Sequence, residues 1–530
     1  MAKKLLLKEL SRYPIGTYAD NVYRNALLHP DQEAFIYGEK RVTFSRFNER
    51  ANSLVHGLQS MGLKKGDVIG ILGWNCLEYT DVFGAAMKGG FIASPFSPRI
   101  HPDELEILIN DSEAKALFVG PELAAEVDRL KPRLRTVAHY IAMEKQHEGM
   151  LFHDELLTFS REEPVVDVAE SDPFIIFYTS GTTGAPRGAV YSHFRKLEEA
   201  KNKALQVGFK PHHKHILIMP LFHIGGWSQS WAFFYVGASN VIMPQRSFDA
   251  RITLQAIQDE RATDIHIVPT HLVSMLAVPN IEEFDLKCLE RIWYAASPMP
   301  TDLLRRGIAR FGEVFAQGYG QSESGPDITI LGVESHRVID KSPEEQKVLS
   351  SCGQPCSGVH VRIVDQGNND VEPGVIGEIV LKSKSIMLGY WKKPEETAKA
   401  IVDGWLHTGD MGYYDANGFI YIADRKKDMI ITGGENVYPR QVEEILYRHP
   451  AVLEAAVIGV PDERWVERVH AVITLRPEKK ATAEEIIGFC KARLAGYKSP
   501  KSVEFVESLP KNPQGKILKN VLREKWKAGR

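Results

Sequence analysis

The 530-residue sequence contains no apolar run of membrane-spanning length, no excess of charge of either sign and few cysteines. Each deficit removes a class of function. The apolar run near the N-terminus, Leu5 to Leu7, is too short for a signal-peptide core, and no later stretch reaches the length of a transmembrane helix. A soluble, cytoplasmic protein is expected, with Lys3, Lys4 and Lys8 offering at most weak contact with an anionic membrane surface. Sixty-five basic against sixty-eight acidic residues leave a formal charge of −3, too little field to hold a polyanion, so nucleic acid is not an expected partner. Five cysteines, an odd number thinly spread, fit a reducing compartment rather than a disulfide framework. Cys352 and Cys356 have the wrong spacing for a metal pair and read as packing residues. His212, His213 and His215 have no acidic or cysteine ligand near them in sequence, so a solvated loop entering a strand is expected there rather than a metal site.

What is present is an ordinary globular composition, 44 % hydrophobic and 25 % charged, on a chain long enough for two domains. From Asp67 the pattern runs strand, helix, strand: VIGILG, then Tyr79 to Lys88 stopped by Gly89-Gly90, then FIASPF. A second such unit runs through HILIMP (215–220), an aromatic-rich helix over 227–236 and NVIMP (240–244). DIHIVP and RIWYAASP supply further strands whose ends should carry the binding loops of an α/β sheet. After Gly353 shorter strands with turn signals, Asn417-Gly418 among them, predict a small antiparallel β subdomain. Beyond Arg425 two helices are predicted, one opening at Pro439 and one capped by Thr482 and Glu485. The expected fold class is therefore α/β: a large N-terminal domain of stacked α/β sheets, residues 1–424, and a small α+β C-terminal domain, residues 425–530. The charged run ADRKKD (423–428) forms the joint.

One loop carries explicit chemistry. The apolar strand Phe174 to Tyr178 runs into TSGTTGAPRG, residues 179–188. Gly181, Gly184 and Gly188 let backbone N–H groups approach oxyanions; Thr179, Ser180, Thr182 and Thr183 add hydroxyl donors, and Arg187 adds charge. The spacing is not that of GxxxxGK[ST], which excludes a Walker loop.

This loop resembles the signature of the adenylate-forming superfamily of acyl-CoA synthetases, luciferases and peptide-synthetase adenylation domains, and the resemblance extends over nearly the whole chain. It implies a set of roles. In Gln317-Gly318-Tyr319-Gly320-Gln321-Ser322-Glu323, Tyr319 would stack on adenine, Ser322 contact the α-phosphate and Glu323 hold Mg²⁺. The small residues Ala295, Ala296 and Ser297 would lie against the base. Asp410, in HTGD, would accept from the ribose hydroxyls, joined by Arg425. Lys516, in PKNPQGK, matches the catalytic lysine, a movable ammonium between carboxylate and α-phosphate. His223 stands close to the substrate carboxylate, and Gly226, Trp227 and Trp231 after it would wall an acyl pocket. Gly433 and Gly434 would line the pantetheine channel, and Lys427 matches the hinge about which the C-terminal domain turns.

The resemblance thus implies an enzyme, an AMP-forming carboxylic acid:CoA ligase, with ATP, Mg²⁺ and coenzyme A as cofactors and a hydrophobic fatty, alicyclic or aryl acid as substrate. Relatives carry an aspartate at the His223 position when they activate amino acids, which this chain lacks. Transfer to a carrier-protein phosphopantetheine and a non-catalytic adenylate-binding sensor are the alternatives, and a homodimer is the assembly that the relatives suggest. Three positions depart from the pattern: Arg187 for the usual lysine, Ser322 for threonine and Val466 for a common glycine.

Overall fold

A computed structural model describes residues 10–179, 186–244, 246–297, 299–425, 428–432, 435–462, 465–511 and 517–528, with the backbone but not the side chain of Arg425. Two large sheets dominate, one of nine strands and one of eight. The expected strand–helix–strand units are there: Val68–Leu72, Leu77–Gly89 and Ile92–Phe96, and then Lys214–Leu217, Ile224–Tyr235 and Ser239–Ile242. Gly90 ends the first helix at φ +65° and Gly237 follows the second at φ +80°, a left-handed turn that glycine enters without a Cβ penalty. The second helix begins three residues earlier than its aromatic pattern suggests, because His223 in extended conformation already serves as its N-cap.

Alternation along the strands explains the layering. In Val68–Leu72, Ile69 and Ile71 enter one core while Val68 and Leu72 enter another, so both faces are covered. The first of these cores lies between the two large sheets and holds Phe35, Phe174, Tyr191, Trp227 and Trp231. Ile265 and Ile267 of strand Asp264–Ile267 fill a further core on the outer side of the nine-stranded sheet, which turns Asp264 and His266 toward the inter-sheet layer. In the nine-stranded sheet the strands Lys214–Leu217, Asp264–Ile267, Arg291–Tyr294 and Phe315–Gln321 are parallel neighbours, so their C-terminal ends share one rim.

The antiparallel subdomain is a five-stranded sheet that includes Val359–Val364, Gly377–Ser383, Trp405–Tyr414 and Ile420–Arg425, with the turn before Ile420 made by Gly418 at φ +78°. The C-terminal region has its own five-stranded sheet and its own core around Val442, Leu446, Val457 and Ile473. Its helices start where expected, at Pro439 and with a Thr482–Glu485 capping box. Arg440 ties this region to the last strand of the preceding one: its N–H donates to Asp424 Oδ2 (2.8 Å) and its guanidinium to the Ile422 carbonyl (2.9 Å). Val466 adopts φ +70° and is 72 % exposed, a conformation that suits glycine and strains a β-branched residue. Cys352 and Cys356 are buried and unbridged, as expected of packing residues. No helix among the described residues is long and apolar enough to cross a membrane. Lys3, Lys4 and Lys8 lie outside the described residues.

Candidate active site

The shared rim of the parallel strands opens on a cavity of about 2510 Å³ that reaches the antiparallel subdomain and the C-terminal region. Segments distant in sequence converge there: Thr179 and Arg187, His223, Ala295 to Ser297, Gln317 to Glu323, and Asp410 all line it. This is the strand-end location that an open α/β sheet favours for ligands.

Thr179 and Arg187 face each other as the last paired residues of the hairpin formed by Pro173–Thr179 and Arg187–Ser192. Ser180, Gly181, Thr182, Thr183 and Gly184 lie outside the described residues. Arg187 is held from outside the loop, by an ion pair with Glu396 (2.9 Å) and by its position over the Tyr390 ring, 5.7 Å from the centroid. The Tyr390 hydroxyl in turn donates to Glu323 Oε1 (3.0 Å). A chain of contacts therefore runs from the phosphate-type loop to the expected metal carboxylate. Burial, followed by the adjacent Glu323 charge, keeps the Tyr390 phenol protonated well above its ordinary range. Nothing in the sequence marked Tyr390, since it sits on the two-residue strand Gly389–Tyr390 remote from both partners.

The segment Gln317 to Glu323 forms the end of a strand and its turn. A Cβ at Gly320 would stand 2.1 Å from the Gly325 carbonyl oxygen, and one at Gly318 would stand 2.2 Å from Asp327 Oδ1, so both glycines are required by close approach. The Tyr319 hydroxyl donates to Asp410 Oδ2 (2.5 Å), as does Gln321 Nε2 (2.6 Å), which also reaches the Thr408 carbonyl (2.9 Å). Asp410 is opposite Arg425 across the Trp405–Tyr414 and Ile420–Arg425 pair. Ser322 is fixed through its carbonyl, which accepts from the Tyr191 hydroxyl (2.6 Å). Ala296 is exposed to the cavity at φ +69°, a strained setting for a non-glycine residue.

At the opposite end His223 lines the cavity. The turn that carries it is clamped by Asn75, whose side chain donates to the Met219 carbonyl (2.9 Å) and accepts from the Leu221 N–H (2.8 Å). Burial lowers the His223 pKa to about 4, so the imidazole is neutral at physiological pH. Three expectations for this end require correction. Trp227 and Trp231 do not wall the cavity; both are fully buried in the inter-sheet core, Trp227 against Tyr18, Phe83, Phe174 and Phe177 and Trp231 against Phe35, Phe47 and Phe234. Gly226 is packed against the backbone, where a Cβ would meet the Pro220 carbonyl oxygen at 2.3 Å. The cause is helical phase: the residues at the N-terminus of Ile224–Tyr235 face the cavity, and the turn that follows faces the core.

The histidine cluster also differs from expectation. Folding brings Glu290 beside His213 (3.3 Å to Nε2), and His212, His213 and Glu290 form a compact group, because Glu290 immediately precedes a strand of the same sheet edge. His215 is apart from them, buried, stacked on Phe233 and in contact with Asn240 Oδ1 (3.0 Å). Lys427, Gly433, Gly434, Lys516 and the Arg425 side chain lie outside the described residues. Lys511 and Ile517, which flank Lys516, pair as a β-bridge and line the cavity.

The profile of the AMP-binding enzyme family matches residues 22–391, and that of its C-terminal domain matches residues 441–516. The chain belongs to the AMP-binding enzyme family. A feruloyl-CoA synthase of Amycolatopsis is 34 % identical over 504 residues, covering 95 % of this chain and 98 % of that one. A fatty acid–[acyl-carrier-protein] ligase of Streptomyces coeruleorubidus is 32 % identical over 507 residues, covering 94 % of each. Among solved structures, the anthranilate CoA ligase AuaEII in complex with anthranoyl-AMP superposes with a TM-score of 0.88 at 27 % identity, over 98 % of this chain and 100 % of that one.

As an AMP-binding enzyme, the protein is an ATP-dependent acid ligase of the acyl-CoA synthetase type, the class expected from its motifs. The cavity fits what this class handles. It offers a carboxylate at Glu323 for a hard cation, small residues and a tyrosine around a flat base, a carboxylate at Asp410, and a neutral histidine at the far end.

Proposed function

We propose that the protein activates a carboxylic acid as its acyl-adenylate with MgATP and transfers the acyl group to coenzyme A. The observation that carries this reading is the convergence of His223, Tyr319, Glu323 and Asp410 on one cavity from separate segments of the chain. In the first half-reaction a carboxylate oxygen attacks the α-phosphorus and pyrophosphate leaves. In the second the CoA thiolate attacks the acyl carbon and AMP leaves. Tyr319 and the Ala295–Ser297 segment hold adenine, Asp410 with Arg425 holds the ribose, and Thr179 to Gly184, Arg187 and Ser322 cradle the phosphates. Glu323 would hold Mg²⁺, which would supply neutralisation of the phosphate charge as pyrophosphate departs. His223, neutral, orients the substrate carboxylate without competing for the cation. Lys516 bridges the two anions during attack. Residues 1–424 act as the nucleotide and acid domain and 425–530 as the domain that turns about Lys427 to admit the thiol past Gly433 and Gly434. Two features support this division: separate family profiles cover the two parts, and each part has its own core. The unbridged cysteines support a cytoplasmic setting.

The decisive experiment is acid-dependent exchange of pyrophosphate into ATP, followed by Lys516→Ala. The variant should lose exchange while still making thioester from supplied acyl-AMP; equal loss of both half-reactions would refute the proposed division of labour. The carrier-protein ligase among the relatives makes the acceptor worth testing directly. Coenzyme A should outcompete a phosphopantetheinylated carrier protein at equal concentration.

A further inference from the structure

The parallel strands of the nine-stranded sheet have a second set of ends, away from the cavity, and a cluster of donors gathers there. His213 immediately precedes strand Lys214–Leu217 and Glu290 immediately precedes strand Arg291–Tyr294, on either side of Asp264–Ile267. His213 Nε2 stands 3.3 Å from a Glu290 carboxylate oxygen, and the His212 and His213 rings meet edge-on with centroids 4.6 Å apart. One ligand atom from each of His212, His213 and Glu290 lies within 4.8 Å of the other two. Donors held by one Zn²⁺ in a tetrahedron, at bonds of about 2.0 to 2.1 Å, stand about 3.3 Å from one another. The His213–Glu290 spacing therefore already fits, and His212, on an exposed turn, closes the remaining gap by a change of rotamer.

The backbone that carries these groups is fixed. The Glu290 N–H donates to the Thr263 carbonyl (2.8 Å), the His213 N–H donates to the Lys210 carbonyl (3.0 Å), and the His213 carbonyl accepts from the Ser239 N–H (3.2 Å). His213 is nearly buried, yet neither of its ring nitrogens is both sealed from solvent and unpartnered, and the Glu290 side chain is 51 % exposed, which leaves an outward position for water. Burial keeps the His213 pKa below its ordinary value, so its ring is neutral at pH 7 and is suited to be a metal ligand rather than the cation of an ion pair with Glu290. Metal at Nε2 puts the ring proton on Nδ1, where Asp264 Oδ2 stands 3.9 Å away. A slight tilt of the ring exchanges a long contact from the Lys210 N–H (3.3 Å) for this carboxylate, an acceptor of the kind that orients metal-bound histidines. The neighbouring Arg291 guanidinium is engaged by Asp264 and by the Val207 carbonyl (3.1 Å) rather than by Glu290.

We propose that His212, His213 and Glu290 form a zinc site, completed by water, that joins the loop before one parallel strand to the start of another at the base of the sheet. Two imidazoles and one carboxylate suit a cation of intermediate softness such as Zn²⁺, whereas Mg²⁺ and Ca²⁺ take oxygen donors. None of the three residues lines the large cavity, so the ion stabilises the fold and takes no part in the chemistry proposed there. The site stands independently of the ligase reading.

The test titrates the metal-free full-length protein with Zn²⁺ against a chromophoric competing chelator and follows thermal unfolding of the same samples. His212→Ala and Glu290→Gln should each weaken the tightest Zn²⁺ site about ten-fold or more, and Zn²⁺ should raise the Tm of the wild type more than that of either variant. Both substituted side chains are exposed, and unfolding without metal verifies that the variants are folded. Mg²⁺ at the same concentration should produce no difference between wild type and variants. A Zn²⁺ affinity that either variant leaves unchanged overturns the proposal, as does a response to Mg²⁺ that the variants lose.

Discussion

Replacement of Trp227 by alanine distinguishes a core residue from a pocket wall. The indole is fully buried and meets Tyr18, Phe83, Phe174, Phe177 and Trp231 with ring centroids 5.6 to 6.1 Å away. The buried Lys196 ammonium lies 5.0 Å from the indole centroid and is otherwise held by Glu199 (2.5 Å) and Ser228 (2.7 Å). Truncation removes the transfer free energy of the ring, leaves a cavity that interlocked aromatic rings cannot collapse into, and strips one favourable contact from a desolvated cation. Burial already depresses the Lys196 pKa, so that lost contact is felt. The expected cost is about 3 to 5 kcal/mol, or roughly 5 °C in Tm for a unit of this size. Trp227→Phe should cost about a third of that. Denaturant or thermal unfolding measures the loss, and turnover over a series of acids measures selectivity in the same preparation. A large stability loss with an unchanged selectivity profile is expected. Stability within about 1 kcal/mol of wild type together with a shifted profile would refute the core assignment and return Trp227 to the pocket.

Three further outcomes follow from particular contacts. Arg187→Lys keeps a charge opposite Glu396 but loses the planar face over Tyr390, so kcat/KM for ATP should fall several-fold, with Tyr390→Leu, which removes the ring, giving a comparable loss; unchanged kinetics in both would leave Arg187 a pure charge. Val466→Gly should stabilise the C-terminal region by about 1 kcal/mol, because glycine relieves the φ +70° strain by more than its added chain entropy costs; hydrogen exchange of the Val466–Leu475 strand reads this, and a loss of protection would sink the argument. Stability should also fall on acidification. Burial lowers the pKa of His193 and His215 to about 3 and of His223, His271 and His336 to about 4. Below about pH 6.5 the unfolded chain therefore takes up protons that the folded chain refuses, which costs on the order of 1 to 2 kcal/mol per histidine by pH 5. His153 behaves oppositely: against its burial, contacts with Asp154 and Asp81 raise its pKa to about 9, so its contribution is complete below pH 6.5 and is lost as pH rises through 9. Denaturation midpoints from pH 4 to 9 test both limbs, and a flat profile between pH 7 and 5 would contradict the first.

The end of the cavity proposed to take the nucleotide was legible in the sequence because its residues sit in contiguous segments. Gly318 and Gly320 stand where a Cβ would strike neighbouring atoms, and Tyr319, three residues from Ser322 and four from Glu323, shares one turn with them. Caps and turns were legible for the same reason: Pro439, the Thr482–Glu485 box and Gly418 act on the backbone within a few residues of themselves. Tyr390 was not legible, since it reaches Glu323 and Arg187 only after the strand Gly389–Tyr390 is laid on the edge of the eight-stranded sheet.

The sequence by itself determined the α/β class, the two-part organisation and the order of the nucleotide motifs, because strand alternation, helix stops and glycine-rich loops are local properties of the chain. Tertiary structure alone decided which side chains reach the His223 end of the cavity. Lys203, His266 and Asp327 come from a helix and two strands, and which of their faces meets the cavity depends on helical phase and on the two-sided burial of the sheet. The same dependence carried Trp227 and Trp231 into the core. A buried charge pair such as Lys203 and Asp327, set among apolar strands, is recognisable only once the helix and the strand that carry it are packed together.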